Sequence, residues 1–142
     1  MRFSRRSYLV ALALGLSLAW GTIHTPSLVV LPEARASLAV LDVFWTEHFL
    51  CLYGVAIDRH VLVTGTGPGI TSTRSRGGKF WISTVTCPKE AIGSAHNHPN
   101  GERCYFYFPG TVVATADEVT FRGSGQRLSI IVCRDHLVWD VQ

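Results

Sequence analysis

The stretch IGSAHNHPNG, in a chain of 142 residues, sets His96 and His98 one residue apart, followed at once by Pro99. Alternate side chains of a strand leave the same face, so the two imidazoles can point together. Neutral imidazole nitrogens are good zinc donors, and two from one strand supply half of a tetrahedral shell. Pro99 ends the ladder and leaves both rings at a strand mouth where a substrate can approach. A solvent-exposed loop would accept the same letters, so the chemistry turns on further ligands.

Two acidic residues extend the set. Asp117, within VVATADEVTF, offers an oxygen ligand, which makes a three-ligand site with the fourth position left for water. Such a site lowers the pKa of bound water to about 7. Glu47 stands just before the apolar segment HFLCLYG and is the candidate general base, taking the proton of that water and handing it to a leaving amine. Each has a plainer use as well: Glu47 as a solvated residue at a helix end, Asp117 as a helix cap with Glu118 in the first turn.

The elements that must position these groups follow from periodicity. Residues 37–47, SLAVLDVFWTE, predict one short helix, with Leu38, Leu41 and Trp45 about a turn apart. Strands are expected over 48–57 and 61–67, and again over 80–87 and 91–96. The glycine-punctuated segment 66–79 reads as a loop, and a second loop covers roughly 100–110. LSIIVC and HLVWDV read as a hairpin turning at Arg134 and Asp135. Phe44, Trp45, Phe80, Trp81 and Trp139 suit the core or a cleft wall. His48, His60 and His136 suit the surface or strand edges, and Arg74, Arg76 and Lys79 a solvated loop. The class is α+β, a single domain rich in strands.

The first 36 residues read as an export signal and leader. Arg2, Arg5 and Arg6 precede an apolar run over 8–20, which is short for a bilayer span of about 20 residues but suits a signal sequence. SRRSYL is also similar to a twin-arginine signal. Cleavage after Ala36, or nearer the apolar run at SLA, leaves an exported domain that starts by Ser37. From Ser37 onward there are nine basic and nine acidic residues, so no domain-wide attraction for phosphate remains and nucleic acid is not an expected partner. The domain is expected in the periplasm or outside the cell, meeting a membrane only in transit through the leader; an uncleaved N-terminal anchor is the alternative reading of the same run. Cys51, Cys87, Cys104 and Cys133 allow two disulfides in any of three pairings.

Taken together, Glu47, the span from it to Gly54, HNHPNG and the later Asp117 resemble the JAMM, or MPN-domain, metallopeptidases. In that family a Glu precedes an apolar strand ending in Gly, a His-x-His-Pro follows, and a Ser-x-x-Asp completes the site. The resemblance runs from about Glu47 to Asp140. It implies a curved mixed β-sheet flanked by short helices, zinc held by His96, His98 and Asp117, and Glu47 as general base. It also implies hydrolysis of a peptide or isopeptide bond in a peptide or protein substrate. Here GERCYFYFPG lengthens the interval from His98 to Asp117, and Ala114 stands where the family has Ser. Thr115 is the hydroxyl near enough to replace it. The register Thr115-x-x-Glu118 makes Glu118 an alternative ligand, and a Cys104 thiolate is another unless it forms a disulfide. The alternative function is a non-catalytic secreted domain held by disulfides, using the aromatic loop 105–108 to bind a partner.

Overall fold

The computed structural model describes residues 25–43, 46–77, 79–98 and 103–142, and all of their side chains except those of 73–76 and 79–84. Outside the described residues lie Arg2, Arg5, Arg6 and the apolar run 8–20, Phe44, Trp45, Pro99 and Asn100. The side chains of Arg74, Arg76, Lys79, Phe80 and Trp81 lie outside them too.

The class is α+β: eight strands and two helices among the described residues. In chain order these are β1 (Ser27–Val30), α1 (Pro32–Leu41), β2 (Phe49–Ile57), β3 (His60–Pro68), β4 (Ile70–Arg76) and β5 (Lys79–Thr86). They continue with β6 (Gly93–Asn97), α2 (Ala116–Ser124), β7 (Leu128–Val132) and β8 (Leu137–Val141). Six strands form one mixed sheet in the order β1-β3-β2-β6-β7-β8, while β4 and β5 form a separate two-stranded ribbon. Among the described residues no helix is long and apolar enough to cross a membrane.

Side-chain alternation gives the sheet two unlike faces. Leu50 and Leu52 of β2, Ala95 of β6, and Leu128, Ile130 and Val132 of β7 pack into the main core, together with Ala34, Leu38 and Leu41 of α1. The odd residues of β2 and the even residues of β6 therefore face the other way. There Ile131 packs with Phe106 and Cys133 under the 103–115 segment. Two glycines let the strands meet closely. A Cβ on Gly93 would lie 2.0 Å from the Leu128 carbonyl oxygen, and one on Gly54, at φ 154°, would lie 1.9 Å from that of Leu62. Gly54 sits at the bulge where the β2–β3 register shifts.

The sequence and the structure differ in two places. The helix expected over 37–47 is found at Pro32–Leu41. Pro32 stands in its first turn with Glu33, both favourable at a helix start, and Ala34, Leu38 and Leu41 form its buried stripe. Residues 27–36, which the sequence reading gives to the leader, thus supply β1, paired in parallel with β3, and the first half of α1. A cut after Ala36 would divide α1, whereas a cut at SLA spares it. The segment 66–79, expected as loop, carries the end of β3 and the whole of β4, which pairs with β5. Thr71 and Thr73 favour a strand, and Gly77, at φ 59°, makes the turn. The remaining strands and the β7–β8 hairpin lie where the sequence puts them, to within about two residues at their ends.

Leu38 is 1% exposed at the centre of the α1–sheet contact. Leu38→Ala should cost about 2–5 kcal/mol in urea denaturation, the usual range for emptying a leucine site in a core.

Candidate metal centre

β2 and β6 run antiparallel with Phe49 opposite His96. Continuing that register places His48 beside Asn97 and Glu47 beside His98. The period of two then puts Glu47, Phe49, His96 and His98 on one face of the sheet, the face away from α1. Phe49 stacks on the His96 ring at 5.2 Å between centroids and fixes its plane. His96 is buried and His98 half-buried.

The fourth group arrives from α2. Thr115 is the N-cap of that helix, its Oγ1 accepting from the Glu118 N–H at 3.4 Å. This is a Thr-x-x-Glu start. Consecutive helix residues point about 100° apart, so Asp117 and Glu118 take different directions. Asp117 Oδ2 lies 3.2 Å from His98 Nε2, and its Oδ1 lies 3.9 Å from His96 Nε2. Glu118, buried, instead accepts from Tyr107 Oη at 2.8 Å and from Arg122 Nε at 2.5 Å. Arg122 also reaches Asp140 at 2.6 Å. Glu118 is thereby committed away from the histidines, and Asp117 is the carboxylate of α2 that meets them. Thr115 is buried as a cap and is not among the residues lining the groove described below. Cys104 is bonded to Cys133, and Cys51 to Cys87. A disulfide sulfur does not act as a thiolate ligand, and two disulfides suggest an oxidising, non-cytoplasmic location. His48, His60 and His136 find neighbours outside the site, in Thr46, Ser27 and Asp135 respectively.

The spacing suits a small cation. His96 Nε2 and His98 Nε2 are 3.1 Å apart. Ligands at 2.0–2.1 Å from a tetrahedral zinc stand about 3.3 Å from one another, so both the nitrogen pair and the 3.2 Å His98–Asp117 separation match such an edge. The ligand atoms of Glu47, His96 and His98 all lie within 4.8 Å of one another, a group that can hold a metal ion. The donor set of imidazole and carboxylate fits zinc and its neighbours.

His98 is oriented from behind. Its Nδ1 lies 3.0 Å from the Arg103 carbonyl oxygen. A carbonyl can only accept, so Nδ1 keeps its proton and Nε2 is the nitrogen that faces Asp117. Asn97 does the corresponding work for Glu47, a role the sequence reading missed. Almost wholly buried, Asn97 accepts from the His48 N–H through Oδ1 at 2.7 Å and donates through Nδ2 to the Thr46 carbonyl at 3.2 Å. The two bonds bracket Glu47 on either side. An amide residue between two candidate ligands, turned by the period of two to the opposite face of the strand, was the available signal.

The site opens into a groove of about 1060 Å³ that runs between the 85–91 segment and α2. Phe49, Val85, Val119 and Phe121 give it apolar walls. Burial pushes the Glu47 carboxyl above its ordinary value, helped by Asp117 and opposed by His96 and His98. Hydrogen bonds with His96, then with His98, hold Asp117 well below the usual carboxylate range.

Carboxyl carbon NMR of the metal-free protein should therefore find Glu47 titrating above 4.5 and Asp117 below 3.8. Because the Asp117 value is depressed by folding, its stabilising contribution is present above its unfolded value and fades as pH falls below it. Asp117→Asn should correspondingly flatten the acid limb of a stability-against-pH curve.

Compared with protein-family models and with curated proteins, the chain matches none of them.

Proposed function

We propose that the protein is an exported zinc-dependent metallopeptidase of the JAMM type, hydrolysing a peptide or isopeptide bond. The single observation that supports this reading is the convergence of Glu47, His96, His98 and Asp117, of which Glu47, His96 and Asp117 line one groove.

In this reading His96, His98 and Asp117 hold the metal, which supplies Lewis acidity toward a water and a substrate carbonyl. Glu47 takes the proton of the attacking water and delivers it to the leaving amine. Its half-buried setting raises its proton affinity, which suits a base that must return the proton. Phe49 and Val119 line the same groove with apolar surface. Asn97 keeps Glu47 from swinging away by holding the backbone on both sides of it. The Thr115 hydroxyl serves α2, so this reading assigns it no contact with the substrate.

Export rests on the leader sequence and agrees with the disulfides. Because β1 and Ala34 belong to the folded unit, this reading has the cut fall ahead of Ser27. The alternative, a secreted binding module, draws on one surface. Phe108 is 44% exposed, Val112 92% and Val113 57%, in the loop that precedes α2.

Metal content separates the two readings. The purified domain should carry near one equivalent of zinc by elemental analysis, and His96→Ala with His98→Ala should remove it. Glu47→Gln should keep the zinc yet lower turnover of a fluorogenic peptide library by about 10²–10⁴-fold. Undiminished cleavage would show that Glu47 is not the base, and a metal-free preparation would favour the binding module. Replacing Arg5 and Arg6 by Lys should leave the product in the cytoplasm. Mass spectrometry of exported protein should find a mature N-terminus before Ser27.

A further inference from the structure

We infer that the Cys104–Cys133 disulfide sets the metal affinity of the site, by fixing the backbone carbonyl that orients His98. The inference rests on the metal reading above and goes beyond it, because neither cysteine is a ligand.

The connection can be followed bond by bond. β6 and β7 run parallel with Asn97 opposite Val132, so the ladder, continued by one residue, sets His98 beside Cys133. Cys133 is bonded to Cys104. Cys104 is the middle residue of a tight turn in which the Tyr105 N–H donates to the Arg103 carbonyl at 2.9 Å. That same carbonyl accepts from His98 Nδ1 at 3.0 Å. A closed circuit therefore leads from the end of β6 across to β7, through the disulfide to the turn, and back to the imidazole.

The turn is not one the chain would keep unaided. Arg103 holds φ at 57°, in the left-handed region that disfavours residues with a Cβ. Such a conformation persists where the surroundings over-determine it. Here the surroundings are a covalent bond on the next residue and the packing of Cys104, Phe106 and Cys133 against Ile131. Without the bond, Arg103 can relax to negative φ and carry its carbonyl away. His98 then loses the acceptor that keeps the proton on Nδ1 and Nε2 toward the site. Loss of such an outer partner usually costs 10–100-fold in metal affinity. The other disulfide joins β2 to the end of β5 and touches neither Arg103 nor His98.

The test is Zn²⁺ titration of metal-free full-length protein, with a competing chelator as the readout. Cys104→Ala with Cys133→Ala should weaken zinc binding by about tenfold or more. Cys51→Ala with Cys87→Ala, which removes the other cross-link, should stay within about threefold of the parent. Arg103 supplies a second pair with both disulfides intact. Arg103→Pro, whose ring forbids positive φ, should reproduce the loss, and Arg103→Gly, which accepts it, should not. In nitrogen-15 NMR the exchange-protected Nδ1 proton of His98 should be present in the parent and absent in Arg103→Pro. If the Cys104 variant does not fold, the Arg103 pair decides alone. Parental affinity in Arg103→Pro would overturn the inference while leaving the zinc reading intact, and so would equal losses in the two disulfide variants. An oxidised parent that binds no zinc would overturn both.

Discussion

The antiparallel pairing of β2 with β6 is the constraint on which the site depends. The register that sets Phe49 opposite His96 also decides that Glu47 arrives beside His98. A slip of one residue would turn Glu47 toward α1 and the apolar core. The register is held on both faces. Leu50, Leu52 and Ala95 are committed to the core on one side, and Phe49 stacks on His96 on the other. Where regular pairing ends, the Asn97 side chain carries it one step further, using its amide as a surrogate strand against the backbone of residues 46–48. The segment that carries Glu47 is thus an extension of the sheet, held in a way an unsupported loop would not be.

Electrostatics bears on what such a cluster can hold. Two carboxylates and two imidazoles are drawn into a partly desolvated recess, where burial alone already works against the charge on Glu47. Asp117 lies 3.2 Å from His98 Nε2 and 3.9 Å from His96 Nε2, and the two imidazoles together raise its acidity. The two Nε2 atoms face one another at 3.1 Å, a gap that has room for one proton between them and not two. On the proposed reading a divalent cation would answer both nitrogens and the Asp117 carboxylate at once, and would leave Glu47 as the acid that exchanges protons. Glu118 shows the contrast. It is more deeply buried than Asp117, yet Tyr107 and Arg122 share one of its oxygens, and this polar cluster serves to anchor α2.

What the sequence discloses about this arrangement follows the reach of local rules. The His-x-His alternation is a period-two pattern, and it translates directly into two rings on one face. The β7–β8 hairpin is equally legible, because two apolar runs flank a polar turn. Asp117 beside the histidines depends on the rotation of α2, which the Thr115–Glu118 start hints at and only the packing of Glu118 settles. Thr115 itself illustrates the limit, since a hydroxyl near a site in sequence is as readily used to cap the helix that delivers the ligand. α1 is displaced from its expected place because Leu38 and Leu41 lie in both candidate stripes. The choice is made by Pro32 and by Ala34, which sit in a stretch whose composition resembles a leader. Asn97 escapes a residue-by-residue reading because its partners lie about fifty positions away.

The two disulfides bear on when the site becomes competent. They close segments with sequence separations of 36 and 29 residues. In the chain-entropy picture each removes about 4 kcal/mol of freedom from the unfolded chain. That is a contribution to stability, and it treats the pair as equivalent. Geometry does not. Cys51–Cys87 fastens the ribbon to β2 beside the groove, whereas Cys104–Cys133 lies in the circuit that orients a proposed ligand. A leader similar to a twin-arginine signal would deliver the domain already folded, yet thiols stay reduced on the cytoplasmic side of a membrane. A domain that folds first and oxidises afterwards would cross with its sheet, its Glu47 brace and its histidines in place, but with the Arg103 turn still free to relax. On the proposed reading and that order of events, the site would bind metal more tightly after oxidation on the far side of the membrane than before crossing.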